Sequence, residues 1–174
     1  SVDAKKQAEK RPFDHYLIPR FTSFRIPPGE DEARLSLQEI KSGLVSDEIR
    51  NQLIIDDVVE CYEKGRKSLI LTGRVSHVAD LAAKLKKRIS NVICLTGGMG
   101  DKKTAQVISE IYEIKDTESF VLVATGSYIG EGFDEARLDT LFLAMPIAWK
   151  GTLHQYAGRL HRYFKGKKEV RVYD

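Results

Sequence analysis

The chain has 174 residues, 42% of them hydrophobic, and a formal net charge of +3; it can bury one sizeable core, and the charge permits a basic groove without demanding one. No apolar run reaches the length of a membrane span and Ser1 to Gln7 carry no signal-peptide hydrophobic region, so a soluble cytoplasmic protein is expected. Cys61 and Cys94 are the only cysteines and are not in Cys-x-x-Cys spacing, which argues against a disulfide or metal framework.

Asp3 to Arg11 is charged and helix-compatible until Pro12 interrupts it. His15 to Ile26 has strand composition, with Pro19 placing it at an edge or a bulge. Pro27 to Glu32 reads as a loop, and a helical pattern starts at Ser36. A second helix is expected from Ser46 as its cap, with Ile49, Leu53, Ile54, Val58 and Cys61 inward and an end at Gly65.

Beyond Gly65, short apolar runs alternate with helices. The runs are Ser68–Thr72, Asn91–Thr96, Phe120–Thr125, Thr140–Met145 and Glu169–Tyr173. The first intervening helix should bury Val75, Val78, Ala79, Leu81, Ala82 and Leu85, the second Ala105, Ile108, Ile111 and Tyr112. Near-continuous apolar strands separated by helices predict an α/β fold, a three-layer α/β/α sandwich around a mainly parallel sheet.

In such a sheet ligands bind beyond the carboxyl ends of the strands. Three successive strands there end in Thr-Gly: Thr72-Gly73, Thr96-Gly97 and Thr125-Gly126. Threonine hydroxyls and glycine amides along one edge suit a run of phosphates, read without base preference. Gly97 to Thr104 is not a Walker loop, because Asp101 rather than glycine precedes Lys102. Asp134 could accept from a ribose hydroxyl or simply cap a helix. Leu153 to Arg162 reads as a helix with Gln155, Gly158, Arg159 and Arg162 on one side. Two guanidiniums and an amide on one face suit a polyanion, and Gly158 would let a partner come near the backbone. His154 and His161 lie close by, but no adjacent nucleophile gives them anything to activate.

Taken in order, Leu69 to His77, Leu95 to Met99, Val123 to Asp134 and Gln155 to Arg162 resemble the motifs of the C-terminal RecA-like domain of superfamily 2 helicases of the DEAD/DEAH type, grouped with the type III restriction Res subunit. The resemblance spans about Gly65 to Asp174. It implies that Arg159 and Arg162 act as arginine fingers with Gln155 near the γ-phosphate, and that Gly132, Asp134 and Gly158 lie at the nucleotide. It also implies that Thr72, Arg74, Gly97, Gly98, Thr125 and Gly126 follow the nucleic-acid backbone, DNA being favoured over RNA. The glycine loop ending at Asp134 is one residue longer than in DEAD-box relatives, and Lys102 and Lys103 replace a common Gln-x-x-Arg pattern.

Neither a Walker lysine loop nor an Asp-Glu-x-Asp/His tetrad occurs in the sequence. ATP and Mg2+ are therefore expected mainly on an N-terminal RecA-like domain of a longer protein, with residues 1–34 as the connector from it and 35–174 as the C-terminal domain. No metal site and no turnover by this chain alone are expected. A non-catalytic α/β module that binds nucleic acid or a nucleotide is the alternative, and a self-contained phosphate-handling enzyme using Gly97 to Thr104 is a third reading.

Overall fold

Side chains alternate across each strand, so a run that is apolar on both parities needs cover on both faces. The computed structural model, which describes residues 13–25, 36–126, 135–146, 158 and 160–174, provides that cover. Its elements are β1 (Asp14–Ile18), α1 (Leu37–Ser46), α2 (Glu48–Glu63), β2 (Lys67–Thr72), α3 (Val75–Leu85), β3 (Val92–Leu95), α4 (Asp101–Glu113), β4 (Phe120–Thr125), β5 (Thr140–Leu143) and β6 (Glu169–Tyr173). The sheet has the order β1-β6-β5-β2-β4-β3. Every neighbouring pair is parallel, as expected for this class.

The two faces of the sheet separate by residue parity. Leu69, Leu71, Leu95, Leu122 and Leu141 point to one side, where they meet Ile111 of α4 and Leu160. Ile70, Val121, Val123 and Phe142 point to the other, against Ile55 and Val58 of α2 and Val78, Leu81 and Leu85 of α3. Fully burying a Leu or Ile side chain is worth about 1.5–3 kcal/mol, so these two layers dominate stability. No helix among the described residues is long and apolar enough to cross a membrane.

Several local expectations shift. The helix from Ser36 forms with a capping box: the Ser36 side chain accepts from the Glu39 amide and Glu39 accepts from the Ser36 amide. It runs on through Ser46, so Asp47 rather than Ser46 caps α2, accepting from the Arg50 amide at 3.0 Å. The inward face of α2 is Ile55, Val58, Val59 and Cys61, whereas Ile49 is 74% exposed. On α3, Val75 and Ala79 face outward and His77 takes a buried place. On α4, Ala105 and Tyr112 are exposed and Ile111 alone is fully buried.

β1 is the edge strand that Pro19 implies, ending one residue before it. It pairs with β6 from Asp14 opposite Glu169 to Ile18 opposite Tyr173. Arg20 then sends two hydrogen bonds to the Asp57 carboxylate of α2, at 2.6 and 2.7 Å. The N-terminal segment is thereby fastened to both the sheet and a covering helix.

Candidate nucleic-acid interface

Parallel pairing brings the carboxyl ends of the strands to one edge. β2, β4 and β3 are adjacent in the sheet, so the three Thr-Gly pairs lie side by side. Thr72 is the register partner of Thr125. The Gly97 amide donates to Thr125 Oγ1 at 3.3 Å, closing the loop after β3 onto the end of β4.

The threonines themselves are scaffold. Thr72 is 4% exposed and Thr125 5%. Thr72 Oγ1 lies 2.7 Å from His77 Nδ1, His77 Nε2 lies 3.0 Å from Asn51 Oδ1, and Asn51 Nδ2 donates to the Val45 carbonyl at 2.7 Å. The last bond orients the Asn51 amide, so His77 must carry its proton on Nε2 and accept from the Thr72 hydroxyl on Nδ1. Burial pushes the His77 pKa down to about 4, with the Arg50 charge adding to the effect, which keeps the ring neutral. A single neutral relay thus joins the end of β2 to α3, α2 and the end of α1.

Glycine backbone lies along this edge. Gly73, Gly97 and Gly98 are exposed. Gly98 has a φ of 82° that a side chain would resist, and a Cβ built on it meets nothing within 4 Å. Gly126 is half-buried at the end of β4. Lys102 and Lys103 are exposed in the first turn of α4. Arg74 is otherwise engaged: its Nη2 donates to the Gln38 carbonyl at 3.1 Å and to Ser42 Oγ at 2.7 Å, which docks α1.

The arginine segment is only partly in view. Gln155, Arg159, Gly132 and Asp134 lie outside the described residues. Gly158 and Leu160 are helical, and Arg162 is exposed just past the helix. A Cβ at Gly158 meets nothing within 4 Å, so packing among the described residues does not ask for glycine there. Leu160 is fully buried and keys this turn into the core. His161 Nε2 lies 2.6 Å from His15 Nδ1 and its ring stacks on Phe13, so the turn sits beside the start of β1. Gly158 and Arg162 are carried on the layer that holds Leu160.

Four features escape a reading of the sequence: Asn51 and His77 in the relay, the Glu135–Arg137 pair and Lys167. Arg137 Nε and Nη2 bond the Glu135 carboxylate at 2.9 and 2.8 Å, while Nη1 and Nη2 reach the Ile114 and Ile111 carbonyls at 2.6 and 2.8 Å. This buried pair holds the end of α4 against β4, with the guanidinium 5.1 Å from the Phe120 ring centre. Its only sequence signal is two opposite charges two residues apart before an apolar strand. Burial pushes both thiols up, Cys61 and Cys94 alike, which disfavours thiolate chemistry. Among the described residues no three His, Cys, Asp or Glu side chains are grouped to hold a metal ion.

The family model for the helicase conserved C-terminal domain matches residues 50–164. The chain belongs to this family. As a helicase C-terminal domain it is 28% identical over 124 residues to the transcript termination protein A18 of Fowlpox virus (strain NVSL), covering 70% of this chain and 26% of that protein. The corresponding Cowpox virus (strain Brighton Red) protein is 30% identical over 118 residues, 67% of this chain and 23% of its own. The matched part thus spans about a quarter of these relatives.

Solved structures share the fold of this helicase domain. T4 UvsW superposes with a TM-score of 0.65 at 18% identity over 93% of this chain and 31% of that one. The E. coli DEAD-box protein SrmB gives 0.59 at 19% over 94% and 76%. Domain 2 of the DEAD-box helicase Mss116p, bound to an RNA duplex, gives 0.55 at 15% over 92% and 53%. The RecA-like fold and the helicase C-terminal domain expected from the motif order are both found.

Proposed function

We propose that this domain is the C-terminal motor half of an ATP-dependent nucleic-acid helicase or translocase. It would supply strand contacts and arginine fingers while an N-terminal RecA-like domain, reached through residues 1–34, supplies the Walker motifs. The observation that carries the reading is the alignment of three Thr-Gly pairs on adjacent parallel strands. Exposed glycine backbone beside lysines on the next helix suits a phosphodiester strand. Because the Thr72 and Thr125 hydroxyls are turned inward and the Gly97 amide is held by Thr125, we assign the contacts at this edge to the exposed backbone of Gly73 and Gly98, with the threonines and Gly97 holding the loops in place.

ATP with Mg2+ would supply the phosphoanhydride whose cleavage drives the cycle. The residues of this chain fit a completing role rather than a holding one: Arg162 is exposed, and among the described residues nothing lies within 4 Å of a Cβ built at Gly158. Arg159 and Arg162 would stabilise charge developing on the transferred phosphoryl group, with Gln155, Gly132 and Asp134 at the nucleotide. Domain closure would bring these groups to the partner domain, and reopening would shift the strand along the glycine edge. DNA is not preferred over RNA in this reading, since the exposed groups address the backbone shared by both.

The test is ATP hydrolysis by the full-length protein with and without single- and double-stranded DNA or RNA. Arg162→Ala is expected to lower kcat by about 10³-fold or more, the usual size of an arginine-finger effect, while leaving nucleic-acid affinity within about twofold. Equal loss of both would sink the finger assignment. Absence of turnover in the folded wild-type protein would favour the non-catalytic binding module.

A further inference from the structure

Lys167 lies two residues before β6, outside every motif that marks the domain. Its Nζ donates to the Leu160 carbonyl at 2.9 Å and to the Arg162 carbonyl at 2.9 Å. These are carbonyls at the end of a helix, where the backbone ladder has run out and the partial charge is negative. An ammonium there satisfies two acceptors at once and opposes the dipole.

The chain is shaped to deliver this cap. The Lys167 amide bonds the Phe164 carbonyl at 3.1 Å, and Gly166 takes a φ of 94°. That left-handed residue turns the backbone so that the Lys167 side chain folds back over its own upstream carbonyls. The ammonium also stands 5.7 Å from the centre of the Phe13 ring, which is 6% exposed. On the same ring His161 stacks at 6.2 Å with planes 4° apart, and its Nε2 meets His15 of β1. The backbone on both sides of His161 is thus gripped by Lys167, and its side chain is gripped by Phe13 and His15.

Such a grip has a cost that a merely exposed lysine avoids. Burial lowers the pKa of Lys167 to about 8, offset in part by the Asp139 and Glu135 carboxylates. A surface lysine would hold a solvated, flexible position; this one is drawn in to end a particular turn.

We infer that Lys167 is a positioning residue for the arginine segment: by capping the Leu160 and Arg162 carbonyls it sets the direction from which Arg162 leaves the backbone. The inference rests on the finger reading above and extends it to a residue that reading does not include. Phe13, just before β1, and His15 within it make the other jaw of the clamp, so the N-terminal segment takes part in setting the arginine geometry. A misplacement of about 1 Å in a group that must meet a transition state is enough to lose up to about 10²-fold in rate.

The experiment is steady-state ATP hydrolysis by the full-length protein with a saturating nucleic acid, comparing wild type with Lys167→Met, Lys167→Arg, Gly166→Ala and Arg162→Ala. Lys167→Met is expected to lower kcat about 10-fold or more, with KM for ATP and nucleic-acid affinity within about twofold. Lys167→Arg, which keeps charge and donors, should recover kcat to within about threefold. Gly166→Ala keeps the lysine but disturbs its aim, and should move kcat in the same direction; it carries the test if Lys167→Met does not fold. An unchanged kcat in Lys167→Met beside a dead Arg162→Ala would overturn the inference while leaving the fingers standing. Parallel loss of kcat, KM and nucleic-acid affinity without recovery in Lys167→Arg would also overturn it, as the mark of a general structural role. Full activity in Arg162→Ala would remove the finger reading and this inference with it.

Discussion

The two edges of the sheet are built from different chemistry. At the amino-terminal edge Arg66, 8% exposed, bonds Thr140 Oγ1 at 2.6 Å, Glu169 Oε1 at 2.6 Å and the Asp139 carbonyl at 3.1 Å. At the carboxyl-terminal edge the corresponding device is the uncharged relay from Thr72 through His77 to Asn51. One edge is closed by charges that satisfy one another across three strands. The other is held by neutral groups, leaving glycine backbone on its outer side and no fixed carboxylate in the relay to repel an anionic strand. Ion pairs suit an edge that need only be stable, and neutral hydrogen bonds suit one that must also receive a charged ligand.

The largest expected effect in stability is at the charged edge. Arg66→Met removes the hub, leaves Asp139 without its arginine and leaves Glu169 with Arg171 alone, and should cost about 3–5 kcal/mol in urea unfolding of the domain. Burial already raises the Asp139 pKa, so losing the arginine should raise it further. A loss below about 1 kcal/mol would mean that this edge draws little from its charges and that the contrast between the edges is superficial.

The neutral edge should instead be sensitive to acid. The folded His77 pKa of about 4 lies below its ordinary 6.5, so the unfolded chain binds the extra proton first. The stability tied to a neutral His77 is fully present above pH 6.5 and is lost as the pH falls toward 4, by roughly 3 kcal/mol in all. Unfolding measured at pH 7 and pH 4.5 for wild type and His77→Gln should show the smaller pH difference in the variant. Equal pH differences would contradict the neutral relay.

The smallest effect expected is at Arg74, which marks where scaffold ends and the proposed ligand surface begins. Arg74→Ala should cost about 1 kcal/mol through the lost bonds to Gln38 and Ser42, and leave nucleic-acid affinity within about twofold. A tenfold loss of affinity with unchanged stability would return Arg74 to the ligand surface.

The sequence by itself determined the class of fold, the strands and the order of the motifs, because apolar runs, glycines and helix caps act over a few neighbouring residues. Thr72, Thr96 and Thr125 could be placed at strand ends from that pattern, and the parallel class put them on a common edge. The inward faces of the helices were harder. Val75 and Tyr112 follow a helical period yet face solvent, since periodicity does not say how far a covering helix overlaps the sheet. Only the tertiary structure decided what the polar groups do. Arg74 reaches back across 32 residues to Ser42, His77 across 26 to Asn51, and Arg66 across 103 to Glu169. Lys167 folds onto carbonyls five and seven residues behind it because one glycine reverses the chain. A charged side chain has several partners within reach of its length, and which one it takes depends on the packing of residues far away in sequence.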